Sequence, residues 1–168
     1  MSPSILAISY FFHLVATVLW IGGLVIMVLL VLPTARRVVG EQPTLYAFLN
    51  RLRRRFVPIA NLSLAALVVT GLIQMSGDPN YDGLMSFNND WNRFMLMKHI
   101  AIVGMFICMV FGQLTIAPAL DRALLLLEKG KQEPAALEKL HRDETRLTWI
   151  NVGLSLLVLL FTALATAL

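Results

Sequence analysis

Charged side chains are scarce in this sequence and unevenly distributed. Only 14% of the residues are charged and 58% are hydrophobic, whereas an ordinary soluble domain has about 25% charged residues. Residues 5–32 contain no Asp, Glu, Lys or Arg. This composition is typical of an integral membrane protein and excludes an ordinary soluble domain. The surplus of basic residues lies in loops, where it orients a membrane protein, so we do not expect nucleic-acid binding.

Cysteine is almost absent, which excludes several kinds of site. The single cysteine, Cys108, lies in an apolar run, so no disulfide can form within the chain. There is no CxxC or CxxCH motif, so neither a zinc knuckle nor covalently attached c-type haem is indicated. The N-terminus lacks a basic region before Ile5 and a cleavage site after the first apolar run. We therefore expect that run to be retained as a transmembrane helix.

Four apolar runs are long enough to cross a bilayer as helices, which takes about 20 residues each. We predict spans over about residues 5–32, 56–75, 94–117 and 147–168. Pro33 and Pro118 are expected to end the first and third spans, and Pro58 to lie in the first turn of the second. The sequence thus predicts an all-α protein, an integral membrane four-helix up-down bundle that forms one domain over residues 1–168.

The loops differ sharply in charge. Residues 33–55 carry six arginines and one acid, Glu41, whereas residues 76–92 carry three aspartates and no Lys or Arg. By the positive-inside rule, the loops after spans one and three are cytoplasmic and both termini are extracytoplasmic. We expect a multi-pass protein of a bacterial-type cytoplasmic (inner) membrane, in contact with the lipid bilayer.

Two histidines, His13 and His99, lie within the apolar spans. An ionisable residue inside a span is costly and indicates a functional site. His13 lies about 12 Å below Ile5 and His99 roughly 8–12 Å below the start of span three. Equal depth on diagonally placed helices predicts facing imidazoles, which suit both axial positions of a haem. The alternative for either histidine alone is a hydrogen-bonded packing residue.

Several neighbours of these histidines are candidate haem contacts. We predict that Lys98 and Arg93 pair with haem propionates, with snorkelling toward the interface as the alternative for Lys98. Gly22, Gly23 and Gly104 are predicted to leave room for the flat ring, although glycine also serves close helix packing in membranes.

Copper is the alternative metal, because imidazole binds it as well. Four methionines of span three would then be thioether ligands, although methionine more often fills a core. These are Met95, Met97, Met105 and Met109.

Other polar residues have simpler expected roles. His141 lies in the charged segment before span four and is expected to be solvated. Interhelical hydrogen bonds are expected from Asn61, Ser63, Thr70, Gln74 and Asn151.

Three stretches resemble conserved helices of the copper-resistance D (CopD-like) membrane domain. They read FHLVATVLWIGGLVIMVLLVLPTARR, RRRFVPIANLSLAALVVTGLIQ and MLMKHIAIVGMFICMVFGQL. The first is also similar to the opening helix of HemJ-type protoporphyrinogen oxidases. That resemblance implies a b-type haem with His13 as a ligand, and Lys98 matches a lysine of their third helix. The chain departs from the HemJ pattern in lacking a further histidine around Cys108 and an Asn-Glu-x-Pro motif before the last helix.

The main prediction is therefore a membrane b-type cytochrome that holds one haem b between His13 and His99. Two axial histidines leave no open iron position, which favours electron transfer. The expected partners are quinol or an extracytoplasmic redox protein, with the chain as an oligomer or as a subunit of a larger redox complex. The CopD-like resemblance implies the alternative, a copper transport or tolerance protein. A HemJ-type oxidase is a further alternative, so enzymatic activity as an oxidoreductase stays open, with no catalytic residue assigned.

Overall fold

A computed structural model describes residues 2–40, 43–79, 81, 89–131 and 134–168. It contains four long helices, each apolar enough to cross a membrane. They are α1 (Pro3–Val39), α2 (Pro43–Ser76), α3 (Asp90–Leu127) and α4 (Pro134–Thr166). The predicted all-α class is confirmed, and the chain is a multi-pass membrane protein whose helices contact lipid. Two acids used to assign the loops, Glu41 and Asp82, lie outside the described residues.

Two helices begin at side-chain caps. The Ser2 hydroxyl oxygen accepts a hydrogen bond from the backbone N–H of Ile5 at 3.4 Å, and the Asn89 amide oxygen accepts one from Asn92 at 2.7 Å. Such caps satisfy backbone N–H groups that have no partner in the first turn of a helix. They fix the starts of α1 and α3 at the same end of the molecule.

The predicted helix ends at Pro33 and Pro118 are wrong. Helix α1 continues through Pro33 to Val39, and α3 continues through Pro118. A π-helical turn comes just before each proline, over Met27–Val31 and Gly112–Ile116. A proline ring clashes with the carbonyl four residues earlier and lacks an N–H. The wider π turn displaces that carbonyl, so the helix passes the proline without ending.

The predicted start of the second helix near Phe56 is also wrong. Helix α2 begins at Pro43, so Pro58 lies well inside it. The arginine-rich stretch folds as helix because its apolar side chains are covered: Leu45 is 1% exposed and Tyr46 is 6% exposed. Tyr46 packs in a cluster with the last part of α3, from Ile116 to Leu124, and with Leu137 near the start of α4. The helices therefore extend together as a bundle beyond the most apolar segments.

The helices alternate in direction, as an up-down bundle requires. Helix α1 packs along α2, and α3 packs along α4. The pairs also meet, because α2 contacts the second half of α3, and α1 contacts α4. We call the end with Ser2 and Asn89 the terminal end, and the opposite one the arginine-rich end. That the arginine-rich end is cytoplasmic stays a prediction from the loop charges.

Candidate functional site

A polar cluster joins α1 to α2 in the terminal half of the bundle. The Ser9 hydroxyl donates to the Thr70 carbonyl at 3.2 Å, and the Gln74 amide donates to the Ser9 oxygen at 3.5 Å. The Nδ1 atom of His13 lies 2.8 Å from the Thr70 hydroxyl oxygen. The interhelical hydrogen bonds expected of Thr70 and Gln74 are thus confirmed. The hydrogen bond to Thr70 thus holds the His13 ring between α1 and α2.

The partners of Thr70 determine which nitrogen of His13 carries the proton. The Thr70 hydroxyl lies 2.6 Å from the Ala66 carbonyl oxygen, which can only accept a hydrogen bond. Its single hydrogen is therefore donated to Ala66, and its oxygen must accept from His13. The proton of His13 is consequently on Nδ1, and Nε2 presents a bare lone pair.

His99 has the same tautomer for a different reason. Its Nδ1 lies 2.6 Å from the Met95 carbonyl oxygen, one turn earlier in α3. That oxygen accepts only, so Nδ1 is again the protonated nitrogen and Nε2 presents the lone pair. Metal-ligating histidines almost always donate their other ring N–H in this way, which fixes ring orientation and raises ligand basicity. Both histidines are half-buried, and that they bind a metal stays a prediction.

Lys98 faces the bundle interior. Trp91, Lys98 and Met105 recur every seven residues and so share one face of α3, on which Trp91 and Met105 are buried. The ammonium of Lys98 is close enough to His13 for an electrostatic interaction. Lys98 is thus the residue of α3 whose interaction with His13 is evident. The predicted pairing of His13 with His99 around one metal stays a prediction.

The other predicted haem contacts, Arg93 and the three glycines, differ in their surroundings. The guanidinium of Arg93 pairs with Asp90 at 3.0 Å on the exposed first turn of α3. A Cβ atom at Gly104 would lie 3.3 Å from the Leu154 side chain, and one at Gly23 would overlap the Phe56 ring. No described atom lies within 4 Å of a Cβ built at Gly22. The Gly23 and Gly104 contacts favour close helix packing, the alternative that the sequence also allowed.

The methionines of α3 divide between core and surface. Met105 is buried among Trp20, Ala60 and Leu64, whereas Met97 is 49% exposed. Met95, one turn from His99, packs against a cluster of Met75, Trp91 and Ala165 at the terminal end. Two thioether sulfurs therefore belong to one cluster near His99. Among the described residues, no three His, Cys, Asp or Glu side chains lie close enough to hold one metal ion.

A second polar cluster lies at the arginine-rich end and includes the third histidine. The expectation that His141 is solvated is wrong, because it is 4% exposed. Its ring stacks on Tyr46 with centroids 4.9 Å apart, and its Nδ1 lies 3.0 Å from a Glu144 carboxylate oxygen. The extension of α2 beyond the predicted span brings Tyr46 over the ring. The spacing of His141 and Glu144 was a signal that sequence reasoning missed, since residues three apart adjoin on a helix.

One known protein family matches most of this chain. The family described as Copper resistance protein D matches residues 50–165, which is more than half of the chain. The chain belongs to the copper resistance protein D family. No curated protein and no solved structure matched the sequence of this chain.

The family match covers only part of the predicted site. It includes His99 and His141 and begins after His13, so the resemblance seen in the first helix lies outside it. A copper resistance protein D family member is expected to involve copper, and nothing in the match supports haem b, a cytochrome or electron transfer. The predicted quinol and redox partners stay predictions.

Proposed function

We propose that this protein binds copper in the terminal half of its bundle and passes it through the membrane, in copper uptake or tolerance. The observation that carries the proposal is the shared tautomer of His13 and His99, each with Nδ1–H donated to a protein oxygen and the lone pair on Nε2. Membership of the copper resistance protein D family favours copper over haem as the occupant.

The donor types favour Cu(I). Thioether sulfur selects Cu(I), and imidazole binds copper readily. Met95 and Met75 share a cluster on the terminal side of His99, so two soft donors lie between His99 and the terminal end. The terminal-end site is accordingly His13 and His99, with Met95 and Met75 as an entrance for the metal.

The charge of Lys98 points the same way. A positive ammonium near His13 repels a bound cation in proportion to its charge, so it disfavours Cu²⁺ more than Cu⁺. It also weakens retention, which suits a cargo that must leave again. Replacing Lys98 by Leu, which adds no metal donor, should therefore tighten Cu(I) binding by roughly three- to tenfold, about 1 kcal/mol for a half-buried charge. Arg93→Leu, which removes a cation already paired with Asp90, should change the Cu(I) affinity little.

The proposal is tested by metal binding of the detergent-purified protein. Cu(I) is titrated anaerobically against a chromogenic chelator for the natural protein, His13→Ala, His99→Ala and the control Thr162→Val. The Thr162 hydroxyl bonds only within its own helix, to the Val158 carbonyl at 2.7 Å. We expect each histidine variant to lose the terminal-end copper and the control to keep it.

The visible spectrum of the same samples separates copper from haem. A colourless protein with copper lost in both histidine variants supports the proposal. A reduced-minus-oxidised b-type spectrum that disappears in both variants would overturn it and restore the cytochrome. Full copper binding in both histidine variants would show that copper is held elsewhere, against the assignment of His13 and His99.

A further inference from the structure

A cavity of about 110 Å³ lies at the arginine-rich end, where α1, α2 and α4 meet. Its wall is mostly apolar, with Met27 from α1 and Phe56 from α2. The polar part of the wall comes from Arg53, His141, Glu144, Thr145 and Thr148. A small cavity with a few polar groups in an apolar wall is typical of a site for a small ligand.

His141 presents an unpaired nitrogen in this region. Its Nδ1–H donates to Glu144, because a carboxylate oxygen accepts only, and Nε2 therefore carries the lone pair. That Nε2 is buried and has no hydrogen-bond partner among the described residues, and the His141 side chain is 5% exposed. A buried polar atom without a partner costs free energy, and a ligand bound in the adjoining cavity would offset that cost. A carboxylate behind a histidine is the arrangement that supports metal ligands in proteins.

The charges around the cavity balance. Arg53 pairs with Asp121 at 2.8 Å and lies 3.6 Å from Glu144, and Arg54 pairs with the other oxygen of Asp121 at 2.9 Å. Two cations and two anions leave no net charge, so the site neither attracts a divalent cation strongly nor repels a monovalent one. The Thr145 and Thr148 hydroxyls donate to backbone carbonyls of their own helix. The nitrogen and sulfur donors that remain are neutral: the His141 imidazole and the Met27 thioether. Imidazole together with thioether is the ligand set of a soft monovalent metal.

We propose that this cavity is a second Cu(I) site, with His141 Nε2 and Met27 Sδ as ligands and Glu144 as the residue that positions the imidazole. The choice of copper rests on the proposed function. Met27 lies about four turns, roughly 21 Å, along α1 from His13. The two sites therefore lie in opposite halves of the bundle.

The test counts copper in the full-length protein in detergent, with Cu(I) as the probe. His141→Phe keeps a flat ring against Tyr46 but removes the nitrogen ligand, and Met27→Leu keeps the volume but removes the sulfur. We expect His141→Phe to lose one equivalent of copper and Met27→Leu to bind that equivalent at least tenfold more weakly. A His13→Ala/His99→Ala double variant should keep it, with sulfur scattering in the copper X-ray absorption spectrum that disappears when Met27→Leu is added.

The outcomes separate the two proposals. Undiminished copper in both His141→Phe and Met27→Leu would overturn the second site and assign its cavity to water, whatever the result at His13. Loss of the terminal-end copper from both His13→Ala and His99→Ala would at the same time leave the proposed function intact. If His141→Phe fails to fold, as judged by gel filtration and a thermal melt, Met27→Leu in the double-variant background decides, because it changes one sulfur to carbon in an otherwise apolar wall. Unchanged affinity and sulfur scattering there would refute the assignment.

Discussion

The most informative single change in the terminal-end site is Thr70→Val, which alters no proposed ligand. Valine has nearly the same shape as threonine but cannot accept a hydrogen bond. In the protein, Thr70 is 8% exposed, and its oxygen takes the Nδ1–H of His13 at 2.8 Å while donating to Ala66 at 2.6 Å. The substitution therefore leaves Nδ1–H of His13 without its acceptor and frees the ring to turn.

Two magnitudes follow from this geometry. Removing the outer partner of a metal-binding histidine lowers metal affinity by about 10- to 100-fold, or roughly 1.4–2.7 kcal/mol. Leaving a partly buried donor unpaired costs about 1–3 kcal/mol of folding free energy. We expect the dissociation constant of Cu(I) at the terminal-end site to rise by one to two orders of magnitude. The copper count at saturating metal should stay unchanged, because His13 itself is still present.

The assay is an anaerobic Cu(I) competition titration, with Thr162→Val as the matched control. That substitution also removes a hydroxyl from a helix, but the Thr162 hydroxyl bonds only the Val158 carbonyl of its own helix. An unchanged dissociation constant in Thr70→Val would refute the argument that Thr70 sets the tautomer of His13. An equal fall in affinity in Thr162→Val would show a general effect of destabilising the bundle.

Two further predictions concern packing and charge, and thermal unfolding in detergent checks both. Arg53→Met should lower the free energy of unfolding by about 1–3 kcal/mol, because Arg53 is 15% exposed and its loss leaves partly buried carboxylates without this cation. Its control is Arg54→Met: the Arg54 side chain is 65% exposed, so the loss should be less than about 1 kcal/mol. Gly23→Ala should destabilise the protein by about 1–3 kcal/mol relative to Gly22→Ala, because its Cβ would lie 2.7 Å or less from atoms of the Phe56 ring while that of Gly22 meets nothing within 4 Å. Equal melting temperatures within either pair would contradict the packing described.

The sequence predicted the helices well and their ends poorly. Long apolar runs determine that a segment crosses a bilayer, since its backbone must pair internally there. The prolines misled because the local rule against helix before proline is relaxed by the π turns Met27–Val31 and Gly112–Ile116. The arginine-rich start of α2 gave a usable signal, because Leu45 and Tyr46 are apolar neighbours within a charged stretch and both are buried.

The site was harder to predict, because helix rotation leaves little trace in an apolar sequence. In a soluble helix the polar face shows which side points outward, but in a membrane helix both the core face and the lipid face are apolar. The position of a residue along its helix could therefore be derived from the chain, whereas the rotation of the helix about its axis could not. His13 turned out to lie against Thr70 of α2, a contact that its depth alone could not indicate. For Lys98 the sequence left both an inward position and snorkelling open, for the same reason.

All three histidines of the chain share one tautomer, and the acceptor behind each ring differs. Nδ1–H is donated to a hydroxyl at His13, to a backbone carbonyl at His99 and to a carboxylate at His141. A stronger acceptor makes Nε2 a stronger ligand, and a charged acceptor forms the stronger hydrogen bond. Of the three acceptors only the Glu144 carboxylate is charged, and Arg53 lies 3.6 Å from its other oxygen. If both proposed sites hold Cu(I), the arginine-rich end should therefore bind it more tightly than the terminal end, where Lys98 opposes binding. This difference in binding energy would draw copper from the terminal end toward the arginine-rich end.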